Sequence, residues 1–204
     1  MSDSNNTNLF MPRPKLFDPE VALHQAMHIF WRNGYIGTPV PQLTKAMGIH
    51  PGNLYANFGN KENLCFRSLL LYQKDQRIKM VNHIKETNED PLTCLKSLLK
   101  DIVYRAKLDN DCKGCFVVNT FLEINHHSDR VKDKVVRYFS DIKTTFLNLI
   151  LEAQKYGQIS IYREAKGMTE MIVNALVGIQ VMLRHPQTVN QSELMLAELI
   201  ENLR

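Results

Sequence analysis

Glycine and proline recur within one short apolar stretch of the chain, MGIHPGNLYANFGNKENL, at residues 47–64. Gly48, Pro51 and Gly59 interrupt an apolar spacing that is otherwise typical of a helix. A glycine permits the tight turn that ends one helix, and a proline presets the first turn of the next. The stretch therefore predicts two short helices joined by a turn of about three residues, with the second helix over residues 51–58.

The second of these helices has an outward side without any acidic residue. Leu54 and Phe58 fall on its inward side, which predicts contacts with a core. An exposed structural helix usually carries Glu and Lys four residues apart, whereas this one carries small or hydrogen-bonding groups. An Asn amide can pair with adenine, and Tyr or His can donate to a phosphate oxygen. The groups that favour contact with a nucleic acid are His50, Gly52, Asn53, Tyr55, Ala56 and Asn57.

The charge of the chain supports this interpretation only weakly, since the formal net charge is +4. Residues 21–61 contain no Asp or Glu, and such a surface can approach phosphate without repulsion. The same residues hold only three Lys or Arg side chains, Arg32, Lys45 and Lys61, which do not form a basic patch. Charge alone therefore leaves nucleic-acid binding undecided.

The rest of the sequence predicts an all-α chain with a small head and a larger body. Residues 1–17 are polar and are expected to form a flexible arm. The head is expected over residues 18–64, with a first helix that begins at Asp18 and is stopped by Gly34. The body is expected over residues 65–204 and is helical throughout, with a buried helix in the segment GCFVVNTFLEINHH.

Three features of the sequence bear on its location in the cell. No apolar run is long enough to span a bilayer, and the first ten residues lack the pattern of a secretory signal. The four cysteines are too few for a disulfide scaffold. These features predict a cytoplasmic protein with free thiols.

Residues 13–66 resemble the DNA-binding domain of the TetR family of bacterial transcriptional regulators. The similarity lies in RPKLFD before the first helix, FWRNGY at its end, and GTPVPQLTKAMGIHPGNLYANFGNKENL after it. The family typically has Leu-Tyr-x-x-Phe-x-x-Lys-x-x-Leu where this chain has LYANFGNKENL. Thr44 and Pro41 depart from the family pattern, which leaves the start of the second helix uncertain. The resemblance implies an N-terminal helix-turn-helix DNA-binding head on a larger helical body that binds an effector and dimerises.

The resemblance also implies a role for each matching residue of the head. Thr38 matches a residue that contacts phosphate at the start of the helix-turn-helix. Tyr55 and Lys61 match positions that usually touch the DNA backbone, although packing of Tyr55 against the first helix is an alternative. The positions of the recognition helix are matched by His50, Gly52, Asn53 and Asn57.

The partners implied by the resemblance are palindromic operator DNA, a second copy of the chain and a small-molecule effector. In this family the last two long helices form a homodimer, and here they carry the small residues Ala175 and Gly178. An intrachain core would explain the same small residues. The expected function is repression that the effector relieves, while the operator, the regulated genes and the possibility of activation stay open.

The candidate effector-binding residues are polar side chains within apolar segments that are predicted to be helical. Asn119, Glu123 and Tyr138 could each orient a ligand. Cys112 and Cys115 form a CxxC at a predicted helix start, where a thiol pKa is lowered and the thiol reacts more readily. Cys115 is therefore a candidate sensor of an electrophile or oxidant, with Cys112 as its resolving partner. Structural cysteines are the alternative, and a zinc site lacks a second ligand pair.

Other function classes find less support in the sequence. His24 and His28 lie four residues apart without a third metal ligand, so a solvated helix face explains them. No HExxH, GxSxG, Walker or dinucleotide-binding pattern is present, so neither an enzyme nor a cofactor is expected. A helical protein-interaction adaptor without DNA binding remains the alternative. DNA affinity that falls steeply with salt would distinguish the regulator from it.

Overall fold

A computed structural model describes residues 17–87 and 89–203 of the 204-residue chain. The predicted flexible arm lies, except for Phe17, outside the described residues. Within the described ranges the regular structure is entirely helical, as predicted. The helices are α1 (Pro19–Asn33), α2 (Val40–Met47), α3 (Pro51–Phe58), α4 (Lys61–Glu86), α5 (Pro91–Lys107), α6 (Phe116–Leu122), α7 (Asp129–Lys155), α8 (Ala165–Met182) and α9 (Val189–Glu201).

Helix α1 forms as its sequence predicts. The Asp18 carboxylate accepts a hydrogen bond from the Glu20 N–H at 2.8 Å, and Gly34 ends the helix with φ 75°. The apolar stripe faces the core, with Ala26, Met27 and Phe30 buried. Because Gly34 occupies a backbone region that side chains rarely adopt, the chain can leave α1 there only with a glycine.

The α2–α3 unit confirms the predicted turn. Gly48 adopts the left-handed conformation with φ 65°, and Pro51 is the first residue of α3. The His50 side chain caps α3, since its Nδ1 accepts the Gly52 N–H at 3.3 Å. The start of α2, which the sequence left uncertain, lies at Val40. Pro39 precedes the helix and no side chain caps it.

Two groups of buried side chains fill the molecule. The first joins the head to α6, as Phe30, Leu54, Leu69 and Phe116 pack in one cluster. The second fills the body between α5, α7, α8 and α9. Helix α4 leads from the head into the body, so the predicted domain boundary between residues 64 and 65 falls inside a continuous helix.

Helix α6 is shorter than the segment predicted for it. It ends at Leu122 and is followed by a 3-10 turn, Ile124–His126. The Glu123 carboxylate turns towards α1 and accepts the Tyr35 N–H at 2.7 Å, which fixes the chain at this end. None of the described helices combines the length and the apolarity needed to cross a membrane.

Candidate nucleic-acid interface and effector cavity

The outward face of α3 is accessible along its length. His50, Gly52, Tyr55 and Asn57 are exposed, and Asn53 is half-buried. Leu54 and Phe58 are buried on the opposite side, as predicted. Since Tyr55 keeps 53% of its surface exposed, it is not packed away against α1.

Arg67 of α4 braces the last turn of α3, which the sequence did not predict. Its Nη1 donates to the Asn57 carbonyl at 3.1 Å, and its guanidinium lies 4.7 Å from the Phe58 ring centre. The Asn57 amide in turn donates to the Asn53 carbonyl at 2.9 Å. Carbonyls at the end of a helix lack intrahelical partners, so a cation there fixes the helix end. Arg67 lies one turn of α4 beyond the matched motif, and no local pattern identified it.

Lys61 lies in the first turn of α4, next to α3. Its ammonium group is 4.3 Å from the centre of the Tyr35 ring, a distance typical of a cation–π contact. The N-terminal end of a helix and a cation together attract an anion. The geometry therefore suits an approach of phosphate at the junction of α3 and α4.

Thr38 requires a correction. Its side chain is fully buried, and its hydroxyl donates to the Gly34 carbonyl. Its backbone N–H donates to the Tyr35 carbonyl. With both donors satisfied inside the protein, Thr38 stabilises the turn between α1 and α2 instead of contacting phosphate.

The end of α1 is hydrogen-bonded to the body through the segment before and within α6. The Trp31 indole N–H donates to the Gly114 carbonyl at 3.0 Å. The Asn119 amide donates to the carbonyls of Trp31 at 3.1 Å and Lys113 at 2.9 Å. With the Glu123–Tyr35 bond described above, these contacts form a connection that we call the α1–α6 junction.

The contacts of this junction correct the roles predicted for two effector-binding residues. Asn119 and Glu123 are turned towards α1, and neither belongs to the wall of the body cavity that contains Tyr138. Glu123 also lies so close to Gly34 that a Cβ atom there would be 2.5 Å from Oε1. Both residues therefore connect the head to the body rather than contact a ligand in the cavity.

A cavity of about 170 Å³ lies between the head-proximal ends of the body helices. Tyr138 and Cys115, two of the predicted effector-binding residues, line it, whereas Cys112 does not. Most of the remaining wall is apolar or aromatic, which is typical of a small-molecule site. The apolar and aromatic side chains of the wall include Trp31, Tyr72, Met80, Ile102, Val118, Phe139, Ile142, Val173, Leu176 and Val177.

Cys115 does not have the lowered pKa that the sequence predicted. It precedes the first residue of α6 as expected, but burial raises the pKa of its thiol. The Lys113 ammonium, between the two cysteines in sequence, pairs with Asp109 at 2.7 Å and Asp111 at 3.2 Å. Cys115 is therefore a protonated thiol, and the premise of a reactive thiolate is wrong in this conformation.

Helices α8 and α9 both carry exposed apolar side chains. Ala175, a predicted dimer contact, is instead buried in the chain's own core. Gly178 is half-buried and has ordinary spacing to Met195, with 3.9 Å between a built Cβ and the methyl carbon. The exposed apolar side chains, which we call the α8–α9 face, are Met171, Val181, Met182, Leu194 and Met195.

His24 and His28 of α1 are both exposed. Among the described residues no group of three or more potential ligands is arranged to hold a metal ion. The His28 ring instead stacks on Trp31, with 6.2 Å between ring centres. The solvated-face interpretation therefore accounts for His24, which is exposed.

Two family profiles match the chain. One, described as "Bacterial regulatory proteins, tetR family", covers residues 22–67. The other, "Tetracyclin repressor-like, C-terminal domain", covers residues 91–197, more than half of the 204 residues. Among curated proteins, the chain is 28% identical to the HTH-type transcriptional repressor BdcR of Escherichia coli, over 88% of this chain and 85% of BdcR. It is 27% identical to the repressor ComR of the same organism, over 84% of this chain and 82% of ComR.

Solved structures share the whole fold. A cysteine mutant of the TetR family regulator CifR, in complex with 26-bp operator DNA, superposes with a TM-score of 0.82 at 24% identity, covering 94% of this chain and all of CifR. The reduced form of E. coli NemR superposes with a TM-score of 0.79 at 12% identity, covering 90% of this chain and 95% of NemR. Both superpositions show a shared fold, whereas the profile matches show similarity of sequence. By these matches, the chain belongs to the TetR family of bacterial regulatory proteins.

Proposed function

We propose that this TetR-family regulator binds palindromic operator DNA as a homodimer, represses the adjoining genes, and is released by a small molecule held in the body cavity. The observation that carries the proposal is the accessible, acid-free outward face of α3. Its relatives BdcR and ComR are named as repressors, and CifR is bound to operator DNA in its structure. A protein with this function acts in the cytoplasm, where bacterial DNA lies.

The residues of the head divide between base contacts and backbone contacts. His50, Asn53 and Asn57 contribute to base choice, because their side chains lie along the face that would enter the major groove. Gly52 lets the backbone approach closely, since only the His50 ring lies within 4 Å of a Cβ built on it. Tyr55 and Lys61 contact backbone phosphate, which adds affinity without sequence preference.

The α8–α9 face is the proposed dimer contact. It presents five large apolar side chains that the chain's own core leaves exposed. Burying them against a second copy is favourable, and two-fold symmetry would pair the two recognition helices with the halves of a palindrome. Residues 18–64 and 65–204 act in this proposal as the DNA-binding head and the effector-binding, dimerising body.

Binding of the full-length protein to DNA from its own gene neighbourhood tests the proposal. We expect a shifted complex that contains two protein chains, with an affinity that falls steeply as salt rises from 50 to about 200 mM. Sedimentation at micromolar concentration should give a dimer. A monomer with equal, weak affinity for every DNA sequence would contradict the proposal and favour the adaptor.

A further inference from the structure

We propose that the cavity takes a neutral, single-ring, mainly apolar molecule that carries one hydrogen-bond acceptor, which the Tyr138 hydroxyl binds. The ligand class follows from the cavity itself. Its role as the molecule that releases DNA rests on the proposed function.

The size and wall of the cavity limit the ligand to a small apolar body. An apolar cavity of roughly 150 Å³ holds a molecule the size of benzene, and this cavity measures about 170 Å³. The aromatic side chains of Trp31 and Phe139 and the aliphatic side chains of Ile142 and Leu176 contribute to the wall. A single ring with a short substituent therefore gains most from burial here.

The charged groups near the cavity already have partners or lie at its exposed rim. Arg105 pairs with Asp101, and Asp109 pairs with Lys113 at 2.7 Å. Lys79 is exposed, so water and salt screen its charge. A ligand with its own charge would lose hydration without gaining a buried counter-ion, which makes ionised molecules unfavourable.

Neutral polar side chains also line the cavity, and they are Tyr72, Gln76, Cys115, Tyr138 and Gln180. Burial raises the pKa of both the Cys115 thiol and the Tyr72 phenol, so both keep their protons. Burial also raises the pKa of Tyr138, so its phenol keeps its proton. The Tyr138 hydroxyl has no hydrogen-bond partner among residues 17–87 and 89–203. It is therefore a donor that a carbonyl, ether or alcohol oxygen of the ligand can satisfy.

The same cavity wall belongs to the α1–α6 junction. Gly114 lines the cavity, and its carbonyl accepts the Trp31 indole N–H at 3.0 Å. Gly114 is packed against α8, because a Cβ atom there would lie 2.5 Å from the Gln180 carbonyl oxygen. A ligand that pushes Trp31 and Gly114 apart thus acts directly on α1.

Trp31 is the single tryptophan of the chain, and it lines the cavity, so its fluorescence reports binding directly. The full-length protein is titrated with cyclohexanol, cyclohexanecarboxylate and cyclohexylammonium at pH 7.5, without DNA. We expect a saturable change for cyclohexanol and a markedly weaker one, or none, for the two ions. In Tyr138→Phe, cyclohexanol binding should weaken by about 2- to 10-fold, the effect of one hydrogen bond. Tyr156→Phe, an exposed phenol outside the cavity, is the matched control and should bind as the wild type does.

Three results would overturn the ligand class. These are binding of either ion at least as tight as that of cyclohexanol, unchanged cyclohexanol binding in Tyr138→Phe, and no binding of any of the three probes at millimolar concentration. The failure of the proposed function would look different. In that case cyclohexanol would bind with the expected dependence on Tyr138, while the protein showed no specific affinity for DNA.

Discussion

The recognition face of α3 and the α1–α6 junction use polar side chains in opposite ways. On the outward face of α3 the side chains are exposed or half-buried, and their hydrogen bonds reach only nearby residues, as in the Asn57–Asn53 bond. In the junction the polar groups are half-buried or buried, and the bonds between α1 and the body span more than 80 residues of chain, as in the bond between Asn119 and Trp31.

This difference predicts that substitutions in the two regions affect different properties, DNA binding in one and stability in the other. A change on the recognition face removes a contact that water can replace in the free protein, so it should alter DNA binding and leave folding intact. A change in the junction leaves a buried donor or acceptor unpaired, which costs about 1–3 kcal/mol for each group. Junction variants should therefore alter stability first.

The largest effect is expected from Gly34→Ala in the junction. Gly34 has φ 75°, and the added Cβ would lie 2.5 Å from Glu123 Oε1. Backbone strain and this overlap should together lower the free energy of unfolding by about 2–4 kcal/mol, measured by urea denaturation. Gly48→Ala is the matched control, since Gly48 has φ 65° but nothing within 4 Å of the built Cβ. Equal losses in the two variants would show that Glu123 does not constrain Gly34.

The next prediction compares the loss of an asparagine side chain in the α1–α6 junction with the same loss on the recognition face of α3. Asn119→Ala leaves the carbonyls of Trp31 and Lys113 without the amide donor and should destabilise the fold by about 1–3 kcal/mol. Asn57→Ala, on the recognition face, should change the stability by less than about 0.5 kcal/mol. It should instead reduce the difference in binding free energy between operator and scrambled DNA by about 1–3 kcal/mol. Similar urea midpoints for both variants would contradict the proposed division.

A smaller and less specific effect is expected from Lys61→Ala. Loss of its charge should weaken binding to operator and scrambled DNA alike, by about 1 kcal/mol, and lower the slope of log affinity against log salt by about 1. Lys100→Ala, an exposed lysine of α5, serves as the charge-matched control and should leave the slope unchanged. If Lys61→Ala affected the operator alone, Lys61 would be reading bases.

The smallest effect concerns pH and His127, whose ring lies beside that of Tyr35 with 4.8 Å between ring centres. Burial lowers the pKa of His127, and no hydrogen bond to either ring nitrogen is found in the described part of the chain. Above about pH 6.5 the side chain is neutral in both the folded and the unfolded protein. Below that pH the unfolded chain binds a proton that the folded chain resists, so stability falls as pH drops towards the lowered pKa.

Urea denaturation between pH 7.5 and 5 measures this contribution. In His127→Phe the loss of stability on acidification should be smaller than in the wild type. The exposed His24 provides the control, as His24→Phe should keep the wild-type pH dependence. An identical pH dependence in His127→Phe would show that His127 takes no part in the loss.

Local signals in the sequence were sufficient for the architecture of the head. Asp18, Gly34 and Gly48 mark helix ends through bonds and backbone angles that involve only neighbouring residues. The outward face of α3 followed from the spacing of Leu54 and Phe58, because the 3.6-residue period of a helix decides which side chains face the core. The resemblance to the TetR family added the expected roles of these residues, and the profile matches confirmed the family.

The same local signals did not predict the contacts between residues far apart in sequence. Asn119 and Glu123 stand out in sequence as polar groups within an apolar segment, but the position of α1 decides that they bind the head and not a ligand. Thr38 matches a family position, yet the turn around it buries its hydroxyl. Cys115 lies at a helix start, which lowers a thiol pKa, whereas burial beside Tyr72 raises it.

The sequence by itself thus determined the helix–turn–helix, its exposed face and the family. Only the tertiary structure decided which polar groups line the cavity, which ones join α1 to α6, and which thiol stays protonated. The physical reason is that some properties depend on residues close in sequence and others on residues far apart in sequence. Helix ends and helix faces depend on residues within a few positions, while burial, hydrogen-bond partners and pKa depend on segments that meet only in the folded protein.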